Sequence, residues 1–111
     1  MEKEQTPIEV DHGMDMTIVT LVDEGILEEH QISRLKDAIE PVIEKNADQE
    51  MIINFAGVKF MSSSMLGLLV RIHKKVIELG GTLRLCNLDP SLLKVFEITQ
   101  LNKVFNISDS I

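Results

Sequence analysis

Three consecutive serines, Ser62-Ser63-Ser64, are the residues whose type and position could do chemistry in this sequence. They stand between an apolar patch, Val58-Lys59-Phe60-Met61, and an amphipathic run that reaches Leu79. At the start of a helix the backbone N–H groups lack intrahelical partners and favour negative charge. Two uses of a hydroxyl fit such a place. One is an N-cap, worth about 1 kcal/mol; the other is an acceptor for a charged group. A third use, nucleophilic catalysis, needs a base within roughly 3 Å. His73 lies ten residues beyond Ser63 on the same helix, which is about 15 Å at the helical rise. His12 and His30 are not excluded by spacing, but neither lies in a recognisable elbow, and no G-x-S-x-G is present. The sequence reads as that of a non-enzyme.

Other chemistries are poorly represented. Histidines at 12, 30 and 73 and the single Cys86 give no metal-ligand spacing. Gly80-Gly81 follows a helix, whereas phosphate-binding glycine loops precede one. His73 falls within the apolar arc of its helix and reads as a partly buried histidine with one local hydrogen-bond partner. Arg71, Lys74 and Lys75 form a small basic stripe on an acidic chain. A solvated face near a helix C-terminus accounts for them, with a contact surface for an acidic partner as the weaker reading.

The elements that would position the serines are legible from pattern. Met51-Ile52-Ile53-Asn54-Phe55 reads as a buried strand, Ala56-Gly57 as a turn, and Thr82-Leu83-Arg84-Leu85-Cys86 as the next strand after the Gly80-Gly81 stop. Strand, crossover helix and returning strand make a βαβ unit with parallel pairing. Upstream, Ile8–Val10 and Thr17–Val22 predict an antiparallel hairpin, broken at Asp23-Glu24-Gly25. Ile32, Leu35, Ile39 and Val42 recur at helical spacing between Glu28 and Asn46, with a kink or break expected at Pro41. Asp89-Pro90 opens a short helix, Gln100–Lys103 reads as a turn, and Val104–Ile107 as a last strand or docked tail. Met1–Pro7 is charged and expected to fray. The whole predicts one α/β domain over residues 1–111, with a four- or five-stranded mixed sheet and packed helices. Ile53, Phe55, Leu66, Leu69, Val70, Val76, Leu83, Leu85 and Phe96 form its expected core.

Composition narrows the partners. The 111 residues are 44% hydrophobic, enough for a normal core, and the formal charge is −7. That balance disfavours nucleic acid and anionic membranes, which are bound by clustered Lys and Arg. With no Trp or Tyr, the chain also lacks the aromatic platforms of single-strand binders. Neither an apolar leader nor a membrane-length apolar run is present, and one cysteine suits a reducing compartment. A cytoplasmic protein is expected.

The run Phe55-Ala56-Gly57-Val58-Lys59-Phe60-Met61-Ser62-Ser63-Ser64-Met65-Leu66-Gly67 resembles the signature of the STAS domain, in particular the bacterial anti-sigma-factor antagonists. That signature is a hydrophobic strand, a short G-V-x-F link, and Asp-Ser-Ser-Gly-Leu-Gly at the head of a helix. The likeness continues through Glu78–Leu83 and Val95–Phe105, and covers nearly the whole chain. It implies a domain that binds an anti-sigma factor of the serine-kinase type. Ser63 would accept phosphate from ATP held by that kinase, and the domain itself would carry no cofactor. The implied contact surface is Ser62, Ser63, Ser64 and Met65, with the loop near Asp23–Gly25. Oligomeric state is not implied; a monomer and a weak dimer both fit. Two positions depart from the signature: Ser62 replaces Asp, and Met65 replaces Gly. The first removes a carboxylate beside the acceptor, and the second adds bulk where a partner would approach. A non-phosphorylated STAS scaffold within a larger regulatory assembly is the alternative these departures favour.

Overall fold

A computed structural model describes residues 6–111. In chain order the strands are β1 (Ile8–Gly13), β2 (Met16–Leu21), β3 (Gly25–Ile26), β4 (Glu50–Asn54), β5 (Phe60–Met61), β6 (Thr82–Cys86) and β7 (Asn106–Ser108). The helices are α1 (Glu29–Lys45), α2 (Ser63–Glu78) and α3 (Pro90–Ile98), followed by a 3₁₀ turn at Leu101–Lys103. Five strands make one mixed sheet in the order β1-β2-β4-β6-β7, and β3 and β5 pair separately. The hairpin β1–β2 is antiparallel; β2, β4, β6 and β7 run parallel. The expected α/β fold and mixed sheet are therefore present, with five strands in the main sheet.

Strand alternation sorts the two faces of the sheet. Val19, Leu21, Met51, Ile53, Phe55, Leu83 and Leu85 share one face and are buried in a single cluster with Leu35, Ile39, Leu69, Ile72 and Phe96. The other face carries Glu50, Arg84 and Ser108, joined by an Arg84 Nε–Glu50 Oε2 ion pair of 3.4 Å and an Arg84 Nη1–Ser108 Oγ hydrogen bond of 2.8 Å. Central β4 is buried on both faces, as parallel strands usually are.

Several expectations are corrected. Of the kink or break expected at Pro41, the break is absent: helix α1 runs from Glu29 to Lys45. Pro41 is on the exposed side, where water can serve the carbonyl it leaves without a partner. Leu66 and Val70 are only partly buried, and Ile77 is half exposed, so the buried face of α2 is narrower than its apolar arc. Strand β2 stops at Leu21, before Val22. The final strand begins at Asn106, because the 3₁₀ turn and Val104 come first. Of the expected frayed segment, residues 1–5 lie outside the described residues, while Pro7 accepts a hydrogen bond from Val22 N at 3.0 Å.

The end of α2 shows why Gly80-Gly81 is required. Gly80 has φ +86°, and Gly80 N and Gly81 N donate to the carbonyls of Ile77 and Val76, both at 3.0 Å. This pair of bonds closes the helix with a left-handed residue after the cap. A Cβ on Gly81 would stand 2.5 Å from the Gln49 carbonyl oxygen, a backbone atom fixed by the start of β4. Gly81→Ala is therefore expected to lose about 1–3 kcal/mol, the usual range for overpacking, and thermal denaturation should show a clearly lower Tm. An unchanged Tm would contradict this account of the helix stop.

Candidate functional site at the start of the second helix

The site lies where parallel strands β2, β4 and β6 end. Loops leaving these strands converge there, as they do in other parallel sheets that bind at the carboxyl edge. One side chain ties the edge together. Asn54 Oδ1 accepts from Ala56 N at 3.0 Å and from Asn87 Nδ2 at 2.9 Å, while its Nδ2 reaches Thr20 Oγ1 at 3.4 Å. Beyond the turn, the chain pairs with the loop after β2. The Glu24 carbonyl accepts from Lys59 N at 2.7 Å and Phe60 N at 3.2 Å, and Ser62 N donates to the Ile26 carbonyl at 3.0 Å. The expected neighbourhood of Asp23–Gly25 and the serines is thus built by a two-residue parallel ladder, β3 on β5.

The three serines occupy three different environments. Ser62 is the N-cap residue, with extended φ −88° and ψ 168°, and its carbonyl accepts from Met65 N at 3.1 Å. Its side chain makes no capping bond: Ser62 Oγ is buried and has no hydrogen-bond partner among the described residues. Ser63 is the first helical residue and is exposed. Ser64 is also exposed, but its hydroxyl donates to Glu29 Oε1 of α1 at 3.2 Å. Met65 is fully buried at 0% exposure. The reading of Met65 as a contact residue is therefore corrected. Its side chain points into the sheet-facing side of α2, one residue past the exposed pair, because the helix turns 100° per residue.

Two large apolar side chains lie exposed beside the serines. Leu27 and Phe60 are 55% and 57% exposed. Both lie beside Gly25: a Cβ there would be 3.8 Å from Leu27 Cδ1 and 3.9 Å from Phe60 Cβ. Two large exposed apolar side chains next to a helix start are the kind of anchor that protein interfaces use. The sequence places Phe60 in an apolar patch and leaves Leu27 unremarked, since neither residue's exposure follows from local spacing.

Asp89 fixes the neighbouring loop. Its Oδ1 accepts from Ser91 N at 3.0 Å and Ser91 Oγ at 2.8 Å, and its Oδ2 meets Lys59 Nζ at 3.3 Å. The Ser91 N–H, then the Ser91 hydroxyl and Lys59, hold its carboxyl below the usual carboxylate range. Asp89 is thus the helix cap the sequence predicts, and it also joins the loop before α3 to the segment before β5. Burial pushes the Cys86 thiol up, which makes it a poor nucleophile at neutral pH.

Catalytic and metal chemistry find no assembled groups among the described residues. No cluster of three or more His, Cys, Asp or Glu could hold a metal ion, and no hydrogen bond joins a histidine to a serine. His73 is partly buried, as expected, but its partner is the Phe105 ring, edge-on at 5.4 Å between centroids. No helix among these residues is long and apolar enough to cross a membrane.

With this fold and site in view, comparison with known proteins is direct. The profile of the STAS domain matches residues 7–111. The chain belongs to the STAS-domain family. An anti-sigma-B factor antagonist from Bacillus subtilis (strain 168) is 32% identical over 84 residues, covering 76% of this chain and 75% of the relative. Among solved structures, an anti-sigma-factor antagonist STAS domain protein from Planctomyces limnophilus aligns with TM-score 0.85 at 22% identity, over 94% of this chain and 91% of that one. The Bacillus cell fate determinant SpoIIAA in its phosphorylated form aligns with TM-score 0.70 at 22% identity, with the same coverage of each chain. At these identities the two structures establish a shared fold.

Two stability measurements test the site's geometry. Met65→Lys buries a charge without a partner and should cost about 3 kcal/mol or more, so the Tm should fall sharply. A Tm equal to the parent's would return Met65 to the surface. Ser62→Ala removes an unpartnered buried hydroxyl, so the Tm should stay equal or rise. A loss of about 1 kcal/mol, the usual cost of deleting a serine cap, would show that the hydroxyl caps the helix after all.

Proposed function

We propose that this protein is an anti-sigma-factor antagonist that binds an anti-sigma factor of the serine-kinase type and is switched off by phosphate on Ser63. The observation that carries the reading is the division of the serines. Ser62 offers a buried hydroxyl, Ser64 a hydroxyl held by Glu29, and Ser63 an exposed hydroxyl at the first position of α2. The antagonist relative from Bacillus subtilis and the family membership support it. In this reading the kinase holds ATP and the γ-phosphoryl passes to Ser63 Oγ. ADP leaves, and the serine proton goes to a base on the kinase. The domain itself performs no catalysis, takes no cofactor and works in the cytoplasm.

Phosphate adds a charge of about −1.5 to −2. The free N–H groups and dipole of α2 suit an anion, so the domain keeps its fold when modified. A partner surface shaped for a neutral hydroxyl instead meets a bulky anion that it must desolvate. A charge left imperfectly paired costs several kcal/mol, equivalent to a thousandfold or more in affinity. The alternative, a scaffold that is never phosphorylated, is favoured by Ser62, which places no carboxylate beside the acceptor.

Isothermal titration against a kinase-type anti-sigma factor, with circular dichroism as a folding control, separates the two. Ser63→Ala should bind constitutively and Ser63→Asp weakly, and intact-mass measurement after incubation with kinase and ATP should find one phosphate, absent from Ser63→Ala. Parent-like binding by Ser63→Asp, together with no phosphate on Ser62, Ser63 or Ser64, establishes the scaffold.

A further inference from the structure

The starts of α1 and α2 are joined by Ser64–Glu29, and their ends by Lys75 with Glu44 at 2.8 Å and Glu40 at 3.9 Å. The helices therefore run side by side in the same direction. Between these two ties their facing sides leave an open groove of about 390 Å³, lined by Glu29, Ile32, Ser33 and Lys36 on one wall and Ser64, Gly67, Leu68 and Arg71 on the other. The groove begins at the serine that follows the proposed switch. Among the described residues nothing fills it.

Gly67, the glycine that matches the end of the family signature, is the first feature. It sits inside α2, where glycine weakens a helix relative to alanine. A Cβ at this position would meet no atom within 4 Å. Packing among the described residues does not call for a glycine here. The remaining physical use of glycine is to let something from outside approach the helix backbone closely.

Charge supplies the second. Lys36 and Arg71 face the groove from opposite walls, and among the described residues neither makes an ion pair. The adjoining stretch between the helices also holds Glu40 and Lys75, where Lys75 is shared between Glu44 at 2.8 Å and Glu40 at 3.9 Å. Glu29, the acid at the other end, is occupied by Ser64. In a chain of formal charge −7, two unpaired cations converging on one groove select an anionic occupant at that end. Ile32 and Leu68 give the middle an apolar floor.

We infer that this groove seats a segment of the protein partner that carries an apolar side chain and, next to it, a carboxylate. The apolar side chain lies over Gly67 against Ile32 and Leu68, and the carboxylate lies between Lys36 and Arg71. The inference rests on the antagonist reading for its partner, and it extends the contact surface from the head of α2 along the α1–α2 seam. The basic residue Arg71, which the sequence leaves as part of a solvated stripe, becomes an interface residue.

Isothermal titration of a kinase-type anti-sigma factor against three forms of the full chain tests it. Gly67→Leu fills the groove and restores a good helix former, so its Kd should rise at least tenfold while its Tm stays equal or rises. Lys36→Glu/Arg71→Glu should also raise Kd at least tenfold, and should flatten the dependence of Kd on salt concentration. If both variants bind as the parent does, the groove is not a docking site and the proposal falls while the antagonist function stands. If the parent itself does not bind, the functional reading falls and the occupant with it. Saturation of the groove by inorganic phosphate alone, followed by backbone amide shifts, would also overturn the proposal by assigning the cations to a small anion.

Discussion

The Asn54 carboxamide is the constraint from which the site follows. Asn54 is the last residue of the central strand, and its side chain holds three chain segments at once: β2 through Thr20, the turn through Ala56, and the exit from β6 through Asn87. Asn87 adopts φ 58°, a left-handed conformation that asparagine tolerates better than most residues. With the turn fixed, residues 58–61 must leave the sheet edge in one direction. There the Glu24 carbonyl receives two of their N–H groups and a two-residue ladder forms. So short a ladder contributes little by itself. Its effect is geometric, because it delivers Ser62 to the head of α2 at a set angle.

That entry angle divides the labour among identical side chains. Ser62 still has extended backbone and turns its hydroxyl inward, Ser63 opens the helix toward solvent, and Ser64 faces α1. Met65 then reaches the interior. A helical step of 100° is enough to give four adjacent residues four different surroundings. The buried hydroxyl of Ser62 is a polar group without a partner, which is costly in a folded protein. The surface nearby combines exposed Leu27 and Phe60 with a helix terminus that favours anions.

Much of this arrangement is written in local pattern. The apolar run Met51–Phe55, the amphipathic segment after the serines and the Gly80-Gly81 stop predict a βαβ unit. The register of β4 on β6, from Glu50 with Thr82 to Asn54 with Cys86, is the parallel pairing expected. Asp89-Pro90 predicts the start of α3, and the structure adds that Asp89 also reaches Lys59. Where local pattern misleads, the cause is packing. Leu66, Val70 and Ile77 belong to one broad apolar arc, but only the part of it that meets the sheet and α1 is covered. Pro41 carries a strong local penalty, yet the surrounding helix is held by Ile39 and Ile43 in the core, and the lost bond faces solvent. His73 looks polar in the sequence, and the nearby Phe105 ring, thirty-two residues away, sets its surroundings.

By itself, then, the sequence determined the main strands and helices, the parallel crossover and the family, because periodicity, breakers and short motifs are local properties of the chain. Only tertiary structure decided which serine is accessible, that Met65 is interior, that Leu27 and Phe60 are both exposed beside Gly25, and that Lys36 and Arg71 line one groove. These facts depend on pairs such as Glu29 with Ser64 and Glu24 with Lys59, separated by some thirty-five residues in the chain. Their meeting is set by the closure of the sheet around β4, and no window of neighbouring residues contains that information.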